Sequence, residues 1–219
     1  MQEFLANYGN LLLKGLIDTI YMVTLSVIGS YVLGIPMGIA LYVTQEGNIC
    51  ENICFNRIFS WIVNILRSVP FIILMIAIMP FTRLIVGKAI GATAAIVPLI
   101  VGCAPFVARM IESSLSEIDK GVIEACLCMG ATPWEIITKV LIKESLPSVI
   151  RGVSITAITL VGYSAIAGAL GAGGLGDIAI RYGHHRKVYS VMYVALIMVI
   201  LLVSIIQTIF NSLAKKYTR

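Results

Sequence analysis

Three glycines of this chain have the spacing of a nucleotide-binding loop. Gly171, Gly173 and Gly176 satisfy the G-x-G-x-x-G pattern, which in dinucleotide-binding domains follows a strand and lets the backbone approach a pyrophosphate. Here the glycines follow a long apolar run rather than a strand, so a tight turn or a re-entrant segment is the better interpretation. The sequence has no G-x-x-x-x-G-K-[ST] loop. We therefore predict that this chain binds no nucleotide cofactor and does not hydrolyse ATP by itself.

Cysteines and histidines are the residues of this chain that could ligate a metal or act as catalytic groups. The five cysteines have no C-x-x-C spacing and no neighbouring histidine, so small packing residues are the better interpretation. His184 and His185 lie beside Arg186 and Lys187, where they would suit a metal or an acidic partner, although paired histidines in a loop are usually solvated. We predict no metal site and no catalytic residue.

The polar stretch 119–147 has strong helix start and stop signals. Asp119 is a candidate N-cap for a first short helix, and Gly130 suits the left-handed residue that ends it. The run Thr132-Pro133-Trp134-Glu135 then combines an N-cap, a proline at the first helical position and a capping-box glutamate. The pattern predicts two helices joined by an abrupt turn, a rigid projection that can transmit force.

Both predicted helices have an apolar face. The first carries Val122, Ile123, Cys126, Leu127 and Met129, and the second carries Ile136, Ile137, Val140 and Leu141. The projection is therefore predicted to dock on a soluble partner. A helical hairpin that packs only on its own membrane domain is the alternative.

The composition predicts an integral membrane protein. Of the 219 residues, 59% are hydrophobic and 12% are charged, and the mean hydropathy is +0.98, whereas soluble domains carry about 25% charged residues. Apolar runs of about 20 residues predict an all-α fold with helical spans. We place them in a single domain, residues 1–219, with spans at about 19–45, 58–81, 89–111, 150–171 and 188–213.

Two of these assignments contain unusual features. Arg67 interrupts the second span, where a lone cation costs roughly 3 kcal/mol unless it finds a partner. Before the first span, apolar residues recur at helical spacing over about residues 3–18. They predict a helix on the membrane surface or against a neighbouring subunit. Prolines 36, 70, 98 and 105 lie within or beside spans, where they are either tolerated kinks or gating hinges.

Charge predicts the orientation, because positive residues accumulate in short cytoplasmic loops. With five spans, the better arrangement puts the N-terminus outside, and the projection and the C-terminus in the cytoplasm. The net charge of +5 has the same origin, so we infer no nucleic-acid partner.

Small and polar residues within the spans suggest further contacts. Gly34 and Gly38 form a GxxxG surface for a close helix contact, within one subunit or between two. The fourth span places hydroxyls at roughly helical spacing, on Thr156, Thr159, Tyr163 and Ser164. These hydroxyls either line a translocation path or bond to their own backbone.

The projection resembles the EAA loop of ABC importer permeases, in which E-A-A is followed three residues later by glycine and, after nine more, by I-x-L-P. Glu124, Ala125 and Gly130 match that pattern, whereas Cys126 replaces the second alanine. The run 140–143 departs from I-x-L-P, and Leu146-Pro147 follows it. These departures leave the end of the second helix open.

The resemblance covers nearly the whole chain and is closest to the membrane subunit of bacterial methionine importers. The runs that carry it are Arg67–Phe71, Pro80–Gly87, Ala104–Arg109 and Gly171–Gly176. The resemblance implies a type I importer permease in the bacterial inner membrane, which works by alternating access as a homodimer. Its implied partners are two ABC ATPase subunits, which bind ATP and Mg, and a periplasmic or lipid-anchored methionine-binding protein.

The resemblance also implies roles for individual residues. Glu124 and Gly130, with Ala125, would position the projection, and Ile123, Leu127 and Met129 would contact the ATPase. Independently of the resemblance, the basic residues around the paired histidines lead us to hypothesise that Arg181, Arg186 and Lys187 dock the binding protein. Two alternatives remain open, namely a permease for another small amino acid or metabolite and a membrane scaffold that holds an ATPase without moving solute. A secondary transporter is disfavoured because the spans contain few acids.

Overall fold

The chain folds into a bundle of long helices joined by short helical segments. The computed structural model describes the backbone of residues 2–217 and the side chains of residues 7–217. The helices are α1 (Gln2–Val43), α2 (Ile53–Ser68), α3 (Phe71–Ala77), α4 (Met79–Val86), α5 (Ala92–Ser116), α6 (Lys120–Cys128), α7 (Pro133–Glu135), α8 (Ile142–Ala169), α9 (Gly174–Ile178) and α10 (Tyr189–Tyr217). Two π-helical segments, Ile136–Leu141 and Ala179–His185, precede α8 and follow α9.

The N-terminal part of the chain forms one helix, not two. The prediction of a separate surface helix over 3–18, followed by a span from residue 19, is wrong, because α1 is continuous from Gln2 to Val43. At 1.5 Å per residue this helix is about 63 Å long, roughly twice the thickness of a bilayer core. The helix continues through Gly9 and Gly15. Leu12 is buried against Leu175 and Val191. Leu12 thus packs within the chain, whereas the sequence periodicity left a membrane surface and a neighbouring subunit both open.

Close glycine contacts show that α1 and α5 run parallel. A Cβ at Gly34 would lie 2.5 Å from Val107, and one at Gly38 would lie 2.6 Å from the Ala108 carbonyl oxygen and from Ile111. The GxxxG surface therefore packs within one subunit. Contacts advance along both helices in the same direction, so the chain must cross the bundle between the end of α1 and the start of α5.

The crossing between α1 and α5 is broken. The predicted span over about 58–81 falls on a bent pair of helices: α2 ends at Ser68, α3 begins at Phe71, and the two helices meet at 99°. Val69 and Pro70 are extended between them, since proline disfavours helical backbone at the residue before it. With this bent pair as one crossing, the described residues cross the bundle five times.

The remaining helices define two faces of the bundle. α8 runs antiparallel to α5, with Ser148 bonded to Ser114 at 3.0 Å and Gly152 beside Met110. Tyr217, at the end of α10, lies near Lys143 and Asp119 in one cavity. Residues 117–147 and the end of α10 therefore share one end of the bundle, called the projection face. Residues 83–91 and 171–187 lie at the other end, called the opposite face, with the first turns of α1.

Candidate functional site

The first helix of the projection, residues 119–147, begins and ends where its sequence predicts. The Asp119 carboxylate accepts a hydrogen bond of 2.8 Å from the Gly121 amide and caps α6. Gly130 has φ +81°, which glycine adopts without the steric cost of a Cβ. The Gly130 and Ala131 amides donate to the Leu127 and Cys126 carbonyls, at 2.9 and 3.0 Å. These bonds satisfy carbonyls that the end of a helix otherwise leaves free.

The second helix starts two residues later, and its capping box is confirmed. The Thr132 hydroxyl accepts from the Glu135 amide, and the Glu135 carboxylate accepts from the Thr132 amide at 3.1 Å. Lys139 forms an ion pair with Glu135 at 2.9 Å. The hydrogen bonds from Lys139 and Thr132 lower the pKa of the Glu135 carboxyl to about 2. The cap is therefore fully ionised at neutral pH.

The second helix of the projection has no end of its own. From Pro133 the chain stays helical through the π-helical segment Ile136–Leu141 and into α8, which ends at Ala169. Ile136 and Leu141 are fully buried in the main core. The I-x-L-P position therefore marks no boundary, and the projection is the end of a continuous rod that also crosses the bundle.

Exposure divides the predicted contact residues of the projection into two groups. Met129 is 79% exposed and Leu127 is 47% exposed, whereas Ile123 is only 6% exposed and packs in the chain's own core. The expectation that Ile123 offers its side chain to a partner is therefore wrong for this conformation. Trp134 is 72% exposed on the same projection. The sequence analysis did not select Trp134 as a contact residue, although a tryptophan just after a helix cap was a usable signal.

The two residues of the E-A pair are exposed and carry no side-chain contact that holds the turn. Glu124 makes no hydrogen bond or ion pair within the described side chains, and it borders a small cavity with Ile49 and Lys120. Ala125 contributes its carbonyl oxygen to the Met129 amide. Within this chain, Gly130 fixes the turn, and Glu124 is left available to a partner.

A polar network that sequence reasoning did not anticipate joins α2, α5 and the turn after α1 near the projection face. Arg109 forms an ion pair with Glu112 at 2.6 Å and donates to the Ser60 carbonyl oxygen of α2 at 3.1 Å. The Gln45 amide donates to Glu112 at 2.7 Å. Because the Glu112 side chain is 12% exposed, these partners offset the cost of burying its charge. The i, i+3 spacing of Arg109 and Glu112 was the available signal.

The four hydroxyls predicted along the fourth span have different surroundings. Thr159 and Ser164 donate to carbonyls of their own helix, at 2.9 and 2.7 Å, which is the alternative left open above. Thr156 is buried, with its hydroxyl 3.4 Å from that of Tyr31. Tyr163 stacks on Phe71 with centroids 4.4 Å apart and an interplanar angle of 1°. Of the four, only Tyr163 borders a described cavity, together with residues of α2 and α5.

The glycine-rich segment on the opposite face forms a tight turn packed on α8. Gly171 and Gly173 have φ of +90° and +85°. A Cβ at Gly176 would lie 2.5 Å from Ala165, so the turn needs a residue without a side chain there. The segment follows a helix and precedes the short helix α9, which is not the strand-first context of a dinucleotide site.

Basic residues predicted to dock a partner lie just beyond this turn. Arg181 is held by Asp177 through two hydrogen bonds, which raise the pKa of its guanidinium. Arg186 lies over the Tyr182 ring at 4.6 Å, a cation–π geometry. Lys187 is exposed at φ 58°. All three are on the opposite face, and only Arg181 has an acidic partner among the described side chains.

Comparison with known proteins gave concordant matches across most of the chain. The family described as binding-protein-dependent transport system inner membrane component matches residues 34–219. The probable D-methionine transport system permease protein MetI of Vibrio cholerae is 50% identical over 98% of this chain and 95% of its own length. The D-methionine transport system permease protein MetI of Escherichia coli K12 is 53% identical over 72% of this chain and 73% of its own.

Solved structures share the same arrangement of helices. A chain from inward-facing conformations of the MetNI methionine ABC transporter superposes with a TM-score of 0.96 at 48% identity, covering 97% of this chain and 99% of that one. A chain of an amino acid ABC transporter crystallised with histidines superposes with a TM-score of 0.70 at 20% identity, over 97% of this chain and 94% of its own. The second match concerns the fold alone.

Proposed function

This chain belongs to the family of binding-protein-dependent transport system inner membrane components, and we propose that it is the membrane subunit of an ATP-driven methionine importer. The observation that carries the proposal is the projection. Its exposed apolar residues and its capped turn are continuous with a helix that crosses the bundle. A motion applied to Leu127, Met129 or Trp134 is thus transmitted directly to α8. Relatives that are half identical to this chain are named for D-methionine transport, and a superposable chain belongs to a methionine ABC transporter.

The assembly proposed is a homodimer of this permease with two ATPase subunits and a periplasmic or lipid-anchored methionine-binding protein. The partner ATPases would bind ATP and Mg, because this sequence has no phosphate-binding loop. ATP binding closes the ATPase pair and moves the projection of each permease. The two permeases then rock between inward-facing and outward-facing states. A ligand shifts such an equilibrium only by its differential affinity for the states, so strong coupling at the projection suffices with weak affinity for methionine.

Contacts at the ATPase are assigned by exposure. Leu127 and Met129 provide the apolar contact and Trp134 extends it. Glu124 and Ala125 face the ATPase, and Gly130 sets the angle between α6 and the rod. Ile123 supports the projection from inside the permease.

The orientation proposed puts the projection face in the cytoplasm and the N-terminus outside. Basic residues on the projection face include Lys120, Lys139, Lys143, Arg151, Lys215 and Lys216. The same rule that retains positive charge in the cytoplasm leaves the opposite face toward the binding protein. Arg186 and Lys187 are then the accessible cations for docking it, whereas Arg181 is engaged by Asp177. Reversing the charge of Arg186 and Lys187 should weaken capture of the binding protein without changing assembly with the ATPase.

Uptake of labelled methionine into vesicles that contain the complete reconstituted complex tests the proposed function. The expected result is ATP-dependent accumulation that requires the binding protein. A complex that hydrolyses ATP but accumulates no methionine would contradict the proposal and favour the scaffold. Accumulation of a different amino acid in competition with methionine would instead correct the substrate.

A further inference from the structure

We propose that the break in the second crossing is a transient binding site for the methionine zwitterion, in which Arg67 receives the carboxylate. The inference deepens the proposed function and rests on it. Six residues from three helices line one cavity of about 300 Å³ there: Asn64, Arg67, Ser68, Gly102, Phe106 and Tyr163. The cavity combines a cation, two uncharged polar groups and two aromatic rings.

The positive charge of Arg67 is unusual because the cavity lies far from the ends of the crossing helices. Gly102 lies about 15 Å along α5 from its start, and Arg67 lies about 21 Å along α2 from its start at the projection face, at 1.5 Å per residue. Both therefore lie far from the ends of α5 and of the bent crossing Ile53–Ala77, each of which is long enough to cross a core roughly 30 Å thick. Among the described side chains Arg67 has no ion pair and no hydrogen bond. An unpaired cation at this depth is costly and marks a functional site with a missing partner.

The irregular backbone between α2 and α3 also indicates a binding site. The 99° bend between Ser68 and Phe71 interrupts the helical hydrogen-bond ladder inside the membrane region. Such irregular backbone is tolerated where it lines a protein cavity, and broken helices commonly form solute sites near the midplane of transporters. Arg67 lies one residue before the end of α2 and lines this cavity.

Aromatic rings supply the complementary part of the site. Phe71 is buried and stacks on Tyr163 at 4.4 Å, and Phe106 lies on the neighbouring helix. The absence of a side chain at Gly102 lets Phe71 pack closely against α5, since a Cβ at Gly102 would lie 3.3 Å from Phe71. A thioether packs favourably at the edge of an aromatic ring. Arg67 thus suits the carboxylate of an amino acid and the rings suit an apolar sulfur-containing side chain.

A local labelling experiment tests this site in the assembled permease–ATPase complex. Ser68→Cys places a thiol in the cavity, and its modification by a methanethiosulfonate reagent is followed by peptide mass spectrometry, which separates it from the five native cysteines. We expect methionine to slow the labelling and 3-(methylthio)propylamine, which lacks the carboxylate, not to do so. Ser190→Cys, exposed at the start of α10, should label at the same rate with or without methionine.

Replacing the cation should remove the protection. In the Ser68→Cys background, Arg67→Gln should raise the methionine concentration needed for half-protection by about tenfold or more, as expected for losing a hydrogen bond to a charged group. Arg67→Lys keeps the charge but loses the bidentate hydrogen bonding of the guanidinium to a carboxylate. It should therefore weaken protection less than Arg67→Gln does. Arg57→Gln, an exposed arginine on the same helix, is the matched control and should leave protection unchanged.

The outcomes separate this inference from the proposed function. If wild-type vesicles accumulate methionine but methionine gives no protection, or the amine protects equally well, the site is wrong and the transport function stands. Protection that survives Arg67→Gln at the wild-type concentration would also overturn the role of Arg67. If wild-type vesicles accumulate no methionine, the proposed function fails first, whatever the labelling shows.

Discussion

Two interruptions of helical structure differ in what holds them. The turn between α6 and α7, around Gly130, is held by neighbours in sequence: the Asp119 and Thr132 caps, the Glu135 carboxylate and the left-handed glycine. The break between α2 and α3 is held by residues far away in sequence. Phe71 stacks on Tyr163, and Arg109 donates a hydrogen bond to the Ser60 carbonyl oxygen of α2.

Because the turn is held by local contacts and the break by long-range contacts, the two regions are expected to differ in how they move. A turn fixed by its own residues keeps its angle when its surroundings change, which suits a projection that transmits force. A break fixed by packing between helices changes when those helices shift, which suits a cavity that must bind and release a solute. The projection is therefore expected to be stiff and the break compliant.

The largest expected effect comes from Gly130→Val. Gly130 has φ +81° and open space around its Cα, so the cost is conformational rather than steric contact, about 1–2 kcal/mol or more for a β-branched residue. We expect methionine uptake to be abolished while the dimer still inserts, because the projection loses its angle. Uptake and ATPase stimulation by the binding protein are measured in the same vesicles.

Gly87→Val is the matched control for that change. Gly87 has φ +76° with nothing nearby, but it lies on the opposite face, so the same strain should leave ATPase coupling intact. Gly130→Asn should retain most uptake, since asparagine tolerates the left-handed region. Wild-type coupling in Gly130→Val would contradict the assignment of the projection.

The second effect tests the packing of the break. Phe71→Ala removes a buried ring from the Tyr163 stack, and a loss of about 3–5 kcal/mol is typical of such truncations in protein cores. The midpoint of unfolding in detergent should fall clearly. Trp134→Ala, at a ring that is 72% exposed, should leave the midpoint nearly unchanged. Equal midpoints for both variants would mean that the break, like the turn, is held locally.

A smaller effect is expected where α2 is tethered to α5. Glu112→Ala leaves the largely buried Arg109 without its acidic partner, at a cost of about 2 kcal/mol for a half-buried pair. Hydrogen exchange should increase along α2, whose Ser60 carbonyl oxygen Arg109 binds. The control is Glu117→Ala, at an exposed acid beyond the end of α5 that forms no described ion pair. Unchanged exchange in α2 would show that the tether does not restrain the break.

The smallest effect is expected at the cap of the projection. Thr132→Ala should cost about 1 kcal/mol, with faster hydrogen exchange confined to the first turn after Pro133. Thr138→Ala, whose hydroxyl donates to its own helix at Trp134, is the matched change without a cap and should have little effect. Exchange that rises as far as α8 would instead show that the turn is not locally independent.

The sequence predicted much of the projection because its signals are short-range. The Asp119 cap, the Gly130 turn and the Thr132–Glu135 capping box are confirmed at their predicted positions. The burial of Ile123 in the chain's own core was not predicted, since a helical face that is apolar all along does not reveal which part packs against the same chain. The continuity of the second helix with α8 was missed because Pro147, inside that helix, resembles a stop signal.

The spans show the same limit. Hydropathy located the apolar segments, but it divided α1 at residue 19 and joined α2 to α3 across Pro70. Hydropathy reveals neither the continuity of α1 nor the bend between α2 and α3. A polar residue in an apolar run is compatible with a helix end, a buried partner or a cavity.

Chain composition by itself determined that this protein is a helical membrane protein, since long apolar runs satisfy their backbone hydrogen bonds in lipid only as helices. The local order of residues also determined the capped turn, because caps and left-handed glycines act over a few residues. Only the tertiary structure decided that α1 and α5 run parallel, that the crossing between them bends at Pro70, and that Arg67 shares a cavity with Phe106 and Tyr163. Those arrangements depend on contacts between residues distant in sequence, whose free energies no local pattern encodes.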